Sequence, residues 1–150
     1  MSRPASPAAV VLCALTVLFG CRVVGQALVA FLGVAWLPPM DAWFSGLLPY
    51  PLLLPLQIVI LLVQIAIDRD LWRGRGFFAR PRPRAGRPLR RLAGAYALSM
   101  AVRYAITRTH AIPVVFHWVL AAYLFTLGAS LRDRPAGTTR LTRRRFACTR

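Results

Sequence analysis

The chain has 150 residues, of which 57% are hydrophobic, whereas soluble domains hold about 45–50%. Its 20 basic residues are all arginines, and with four aspartates they give a formal net charge of +16. In a soluble protein this much positive charge would indicate binding to nucleic acid. Here the arginines lie between long apolar runs, and we therefore expect no nucleic-acid partner. Three cysteines, Cys13, Cys21 and Cys148, match neither a disulfide framework nor the spacing of a zinc site, and no metal is predicted.

Four apolar runs, most of them of the roughly 20 residues that a membrane crossing needs, predict spanning helices. The expected fold is an all-α integral membrane protein, a four-transmembrane-helix bundle with both termini inside. The predicted spans are about 8–36, 47–67, 92–109 and 111–131, within a single membrane domain over 1–131. A basic loop, 68–91, separates the second and third spans. The remaining residues, 132–150, are predicted to form a disordered basic cytoplasmic tail.

The arginines in the connections predict the orientation of the helices. Nine lie in the loop 68–91, and seven lie from Arg132 onward. Arg3 precedes the first span, whereas the opposite side receives only Arg108. Because basic segments stay in the cytoplasm, we expect both termini on the cytoplasmic side of a bacterial inner membrane. The basic loop also suits contact with anionic lipid headgroups, although a topology signal alone accounts for its charge.

Arg22 interrupts the first apolar run, directly after the box LFGC that ends at Cys21. This box resembles the cleavage site of a lipoprotein signal peptide, with Arg3 as its charged start. However, Phe19 stands where a small residue is usual, and the chain stays apolar as far as Trp36. We therefore expect an uncleaved span with Arg22 near mid-membrane, where a charge costs about 2.5–3.5 kcal/mol. Its side chain is then expected to face other helices.

Polar side chains recur inside every predicted span, and Arg22 needs partners among them. No Asp or Glu lies within a predicted span, and Asp68, at the inner end of the second, is the nearest acid. Helical spacing places Gln57 and Gln64 on one face and Gln26 on the face of Arg22. With a helical rise of about 1.5 Å per residue, the polar groups fall at two rough depths in the membrane. The predicted intramembrane ligand site consists of Arg22, Gln26, Gln57, Gln64, Tyr96, Arg103 and His117.

Two arginines, one histidine and no acid favour a ligand with an anionic group or an electron-rich oxygen. A lipid phosphate, a small carboxylate or a quinone carbonyl would fit. Catalysis is not favoured, because no acid can serve as a general base and no Ser or Cys visibly pairs with a histidine. A b-type haem is not expected, because His117 lies inside a span but His110 lies in the outer connection. No bound cofactor is therefore predicted.

Two other classes of protein fit the same pattern. An assembly or scaffold subunit of a larger membrane complex would use small residues such as Gly25, Gly33 and Gly128 for close helix contacts. In such a subunit, Arg22 would pair with an acid of the partner protein. A small transporter would instead work as a homo- or hetero-oligomer, with the polar layers as its path.

Overall fold

The computed structural model describes residues 6–43, 49–80, 82–107 and 111–133, and within these ranges the chain forms helices and no strands. The helices are α1 (Pro7–Leu32), α2 (Met40–Trp43), α3 (Tyr50–Arg73), α4 (Pro83–Thr107) and α5 (Ala111–Asp133). The all-α prediction is therefore confirmed. Arg3, Arg108, His110 and the tail from residue 134 onward lie outside the described residues.

Local chemistry sets where α1 and α3 begin and end. Ser6 caps α1, since its Oγ accepts a hydrogen bond from the backbone N–H of Ala9 at 3.3 Å, and Pro7 occupies the first helical position. Gly33 and Gly74 follow the last residues of α1 and α3 in the left-handed conformation, with φ of 59° and 63°. Between its two ends α1 is one uninterrupted helix that carries the predicted buried arginine in its second half.

The helices on either side of the basic segment are longer than the apolar runs predict. α3 continues for six residues beyond Ile67, the predicted end of the second span. α4 begins at Pro83, well before Leu92, the predicted start of the third. The predicted loop 68–91 is therefore helical at both ends. Arginine is a good helix former and proline suits the first helical position, so the charge of this segment does not prevent a helix.

The four long helices pack side by side in the order α3, α1, α5 and α4. α4 and α5 form the most extensive pair, whereas α1 packs against both α5 and α3. The short α2 contacts α1 and α5, and it marks one end of the bundle, called here the α2 end. Among the described residues, no Cα atom of α3 lies within 8 Å of one in α4 or α5. The gap between α3 and the α4–α5 pair is therefore bridged by side chains alone.

Away from the α2 end, three helices meet in a buried apolar cluster. Its members from α1 and α3 are Ala9, Leu12, Ile67 and Leu71, and its members from α5 are Tyr123, Leu127 and Leu131. Close packing of such side chains holds helices together in lipid, where the hydrophobic effect between them is absent. The cluster fixes the mutual positions of α1, α3 and α5, and the polar side chains lie beside it and above it, toward the α2 end.

Besides the apolar cluster, the long helices bury several polar side chains and expose many large apolar ones, which is unusual for a soluble protein. The buried polar residues are Thr16, Arg22, Gln26, Gln57, Gln64 and Asp68. By contrast, Val17, Leu62 and Leu98 are 60%, 60% and 65% exposed. Hydrocarbon surroundings account for both observations, because lipid tails accommodate apolar side chains but leave polar ones without partners.

Three helices are long and apolar enough to cross a membrane: Pro7–Leu32, Tyr50–Arg73 and Ile112–Arg132. α4 is not among them. Its first half is rich in arginine, and its apolar part, 92–107, is shorter than the roughly 20 residues that a crossing needs. The three helices suggest a membrane protein, whereas the fourth span and the cytoplasmic termini stay predictions.

Substitution of Gly86 by alanine is expected to loosen the α4–α5 pair. A Cβ atom there would lie 2.6 Å from the carbonyl oxygen of Gly128, so the two backbones would have to separate. We expect the free energy of unfolding to fall by about 1–3 kcal/mol, as for other overpacked contacts. The matched control is Gly94→Ala in the same helix, whose Cβ would meet nothing within 4 Å. Thermal unfolding in detergent micelles, followed by circular dichroism, measures both variants, and equal stabilities would contradict the close approach.

Candidate functional site

A cavity of about 240 Å³ lies in the gap beside α3, toward the α2 end. Each long helix contributes one polar side chain to its wall: Arg22 from α1, Gln57 from α3, Tyr96 from α4 and His117 from α5. The rest of the wall is apolar and includes Phe19, Leu53, Leu56, Ile60, Phe116 and Leu120. A small apolar chamber with a few convergent polar groups is the usual form of a ligand site. We call this space the polar cavity.

Arg22 is the charged group of the polar cavity, and it is only 5% exposed. Its Cζ atom lies 5.4 Å from the ring centroid of Phe116, a cation–π distance that holds the guanidinium between α1 and α5. Tyr96 is an electrostatic neighbour of Arg22 from the side of α4. The Nε atom is buried without a hydrogen-bond partner in the described part of the chain. This guanidinium therefore keeps hydrogen-bonding capacity that a ligand oxygen can use.

The amides of Gln57 and Gln26 form a pair between α3 and α1. Nε2 of Gln57 donates a hydrogen bond to Oε1 of Gln26 at 3.2 Å, and both side chains are buried. The other atoms of the pair, Oε1 of Gln57 and Nε2 of Gln26, are buried and have no partner among the described residues. Gln26 thus positions the amide of Gln57 at the cavity wall and does not line the cavity itself.

His117 reaches the polar cavity with its ring orientation fixed. Its Nδ1 lies 2.7 Å from the backbone carbonyl oxygen of Pro113, one helical turn earlier. A carbonyl oxygen only accepts, so Nδ1 carries the hydrogen and Nε2 of the neutral ring is an acceptor. The ring of Tyr96 stacks on that of His117 with centroids 5.8 Å apart and an interplanar angle of 24°. Arg103 is a further electrostatic neighbour of this imidazole. The histidine therefore joins α4 to α5 at the site.

The seven residues predicted for the ligand site do not all meet. Four line the polar cavity, Gln26 is hydrogen-bonded to Gln57 of its wall, and Arg103 is an electrostatic neighbour of His117. Gln64 lies apart, although it shares a helix face with Gln57. Both polar atoms of its side chain are buried and lack a partner within the described ranges. Its backbone carbonyl accepts from the hydroxyl of Tyr123 at 3.3 Å, which attaches it to a second polar group in the bundle.

That second group centres on Asp68, a carboxylate buried between α1, α3 and α5. Oγ1 of Thr16 donates to Oδ2 of Asp68 at 2.6 Å, and the hydroxyl of Tyr123 donates to Oδ1 at 3.1 Å. Asp68 is 9% exposed, so its charge depends on these donors. Each of the three side chains comes from a different helix. We call them the Asp68 triad, which fastens α3 to α1 and also to α5, whose backbone does not approach that of α3.

The Asp68 triad corrects the expectation of an interior without acid. Sequence patterns end the second span at Ile67 because Asp68 opens a charged segment. The helix instead continues, and positions 57, 64 and 68 follow helical spacing, so the carboxylate joins the buried face that carries both glutamines. The sequence offered Asp68 as the nearest acid for Arg22, but its carboxylate accepts hydrogen bonds from Thr16 and Tyr123 instead. The spacing could have identified this face, but not its partners.

Trp43 is a second residue whose position the sequence does not reveal. Its place between the first two apolar runs predicts an interfacial ring. The structure buries it in α2, where its Nε1 donates to the carbonyl oxygen of Pro38 at 2.8 Å. The ring lies over Gly25 of α1, so closely that an added Cβ would be 3.0 Å from its Cη2 atom. Trp43 thereby forms the wall of the polar cavity toward the α2 end.

Fold and site together define an all-helical protein with three helices that are apolar enough to cross a membrane and a polar cavity beside them. The chain matches no protein-family profile, no curated protein and no solved structure. Arg22 and the hydroxyl of Tyr96 supply hydrogen-bond donors at the cavity, His117 offers an acceptor, and the described part of the wall includes no acidic side chain. The arrangement can therefore bind an acceptor group of either anionic or neutral character.

Replacement of Tyr123 by phenylalanine tests the Asp68 triad. Loss of the hydroxyl removes one of the two side-chain donors to a buried carboxylate, and we expect unfolding to become easier by about 1–3 kcal/mol. Tyr104→Phe is the control, because Tyr104 is an exposed tyrosine on α4. Midpoints of thermal unfolding in micelles give the comparison. If the triad does not stabilise the bundle, both variants will have the same unfolding midpoint, and Thr16→Val will leave that midpoint unchanged as well.

Proposed function

We propose that this protein binds, within the membrane, a small ligand that presents an anionic group or an electron-rich carbonyl oxygen. The polar cavity is the observation that carries the proposal, because polar residues far apart in sequence converge there around the guanidinium of Arg22. The candidate ligands are a quinone headgroup, a carboxylate and the headgroup region of a lipid. The proposed role is binding and not catalysis.

The charge of the polar cavity supports an electron-rich ligand. Arg22 is buried in its wall, and Arg103 adds a second positive charge near His117. A cation in low-dielectric surroundings is stabilised strongly by a nearby negative or electron-rich oxygen. The acid buried elsewhere in the bundle is engaged by Thr16 and Tyr123. A ligand oxygen would therefore act as the acceptor for Arg22, because the carboxylate of Asp68 is bonded elsewhere.

The size and walls of the polar cavity favour a flat or compact group. Its volume of about 240 Å³ lies below the roughly 300–1,000 Å³ of sites for drug-sized molecules. Aromatic rings, those of Tyr96 and Phe116, border the guanidinium and the imidazole. A planar ring with carbonyl oxygens would stack on these rings and accept from Arg22, while a longer apolar tail would remain among the lipids. These features support a quinone-like headgroup over a bulky anion.

The proposed topology has four spans with both termini on the cytoplasmic side of a bacterial inner membrane. The arginine count favours this orientation. Leu98 and Ile106 of α4 are 65% and 77% exposed, as expected for a helix whose second half meets lipid. α4 also packs along α5, a helix that is itself apolar enough to cross. Pairing with α5 supports α4 as a fourth span despite its short apolar part.

Reporter fusions test this topology. Green fluorescent protein fused after Arg150 is expected to fluoresce, because the carboxyl end is predicted to be cytoplasmic, whereas alkaline phosphatase fused there should be inactive. Phosphatase inserted after Val34, in the connection between α1 and α2, should be active. Fluorescence and phosphatase activity, both recorded in whole bacterial cells, provide the measurement. Active phosphatase at Arg150 would mean an odd number of spans or the opposite orientation.

The glutamines of α3 allow a matched test of ligand binding. Gln57 lines the polar cavity and Gln64 does not, although both are buried on the same helix face. We expect Gln57→Leu and Arg22→Met to weaken binding by about five- to tenfold, the loss of about one hydrogen bond, and Gln64→Leu to leave binding unchanged. Decylubiquinone and laurate are the probes, titrated against Trp43 fluorescence in a protein whose other three tryptophans are replaced by phenylalanine.

The two probes separate a quinone from a carboxylate ligand. Saturable quenching by one of them, weakened in Gln57→Leu and Arg22→Met alone, supports the proposal for that chemistry. Equal losses in the Gln57 and Gln64 variants would show that only bundle stability had changed. If neither probe binds and the protein purifies with a stoichiometric second polypeptide, the binding role is wrong, and a subunit of a membrane complex is the better interpretation.

A further inference from the structure

A second site lies on the surface of the α4–α5 pair, away from the polar cavity. A pocket of about 400 Å³ there is lined by four arginines and one aromatic ring: Arg87, Arg90 and Arg91 from α4, and Phe125 and Arg132 from α5. Its described lining includes no acidic side chain. We call it the basic pocket. Four guanidiniums around one small space favour an anion, and guanidinium groups match the oxygens of a phosphate in pairs.

An apolar groove adjoins the basic pocket along the same pair of helices. It has a volume of about 310 Å³, and its floor consists of small residues, among them Gly94 and Ala97 of α4 and Ala121 of α5. Phe125 lines both spaces, so the groove begins where the basic pocket ends. A Cβ added at Gly94 would meet nothing within 4 Å, which leaves the floor open. The floor is concave because these positions carry almost no side chain.

The two spaces lie in line along α5. Residues 118, 125 and 132 recur every seven positions, so they share a face and cover about 21 Å at 1.5 Å per residue. Arg132 lies at the basic end and Trp118 at the apolar end, where its Nε1 donates to the carbonyl oxygen of Ala97 at 3.3 Å. Half of a bilayer's hydrocarbon core is about 15 Å thick. The combined length therefore suits a headgroup followed by a large part of one acyl chain.

Arg90 is held in place at the junction. Its Cζ atom lies 4.7 Å from the ring centroid of Phe125, and its Nε is buried without a partner in the described part of the chain. The close contact of Gly86 with Gly128 brings α4 and α5 together beside it. An arginine ordered by an aromatic ring loses less side-chain freedom when it binds an anion. The geometry is thus prepared for a phosphate before any ligand arrives.

We propose that the basic pocket and the apolar groove together bind one anionic glycerophospholipid. Its phosphate lies among Arg87, Arg90 and Arg132, and one acyl chain lies over Gly94. The membrane surface attracts basic segments in general, but a site that combines four arginines with an acyl groove selects a whole lipid. This site is independent of the polar cavity and requires only that α5 crosses the membrane. Charge complementarity favours a lipid over a helix of a second copy, since the chain carries 20 basic and four acidic residues.

The test is native mass spectrometry of the delipidated full-length protein in a neutral detergent. The protein is titrated with phosphatidylglycerol, with phosphatidylcholine of the same chains, with glycerophosphoglycerol and with inorganic phosphate. We expect phosphatidylglycerol to bind at least about tenfold more tightly than each of the others, since only it has both the net charge and the chains. Comparable affinity of the choline lipid, or of the chain-free phosphates, would overturn the proposal.

Matched variants assign the binding to its residues. Arg90→Gln and Arg132→Gln should each weaken phosphatidylglycerol binding about tenfold, whereas Arg84→Gln, an exposed arginine of α4 outside the pocket, should have no effect. Gly94→Leu, which fills the groove, should weaken the lipid but not glycerophosphoglycerol. Circular dichroism confirms that each variant is folded. Equal losses for all three arginines would indicate a diffuse surface charge and overturn the site. So would a dimer that Gly94→Leu dissociates without any effect on lipid binding.

Discussion

A polar side chain on a helix in hydrocarbon cannot form hydrogen bonds with water, so it needs partners on other helices. α1 shows how far this constraint organises the bundle. Thr16 bonds the carboxylate of α3, Gln26 bonds the amide of Gln57 on α3, and Arg22 packs over a ring of α5. Three polar residues spaced along one helix thereby set its rotation against two neighbours. The apolar cluster fills the remaining contact.

Two groups of buried polar side chains have different consequences, and Gln64, whose amide atoms lack partners among the described residues, belongs to neither. In the Asp68 triad, each carboxylate oxygen has a side-chain donor, so this part of the interior is self-sufficient and structural. Around the polar cavity, atoms of Arg22 and Gln57 lie buried without partners in the described chain. A fully bonded network stabilises a fold, whereas a partly bonded one leaves donors and acceptors available for another molecule. This difference is why the proposed function is placed at the cavity and not at the triad.

α4 has a basic first half and an apolar second half. Its first half carries arginines, one of which lies over Phe125 of α5, and its second half exposes apolar side chains. Glycines at the junction with α5 allow the backbones to approach closely, and small residues further along leave the groove open. The face that α4 turns toward α5 therefore holds both the glycines that tie the two helices together and the small residues that shape a surface suited to lipid. A basic segment that is helical can order its guanidiniums, which a flexible loop does not do.

Hydropathy and the positions of the arginines were sufficient to predict helices, a lipid environment and the polar residues that turn inward. Arg22, Gln57, Tyr96 and His117 could be named in this way because an apolar run makes each polar residue conspicuous. Their convergence at one cavity, the separation of Gln64 from them and the burial of Trp43 followed only from the packed helices. A periodic pattern gives the face of one helix, but the rotation and the axial offset between two helices come from side-chain contacts that no single run contains. For the same reason the sequence alone predicts that a span ends before Asp68. In the structure α3 continues past this residue, and its carboxylate accepts from Thr16 and Tyr123.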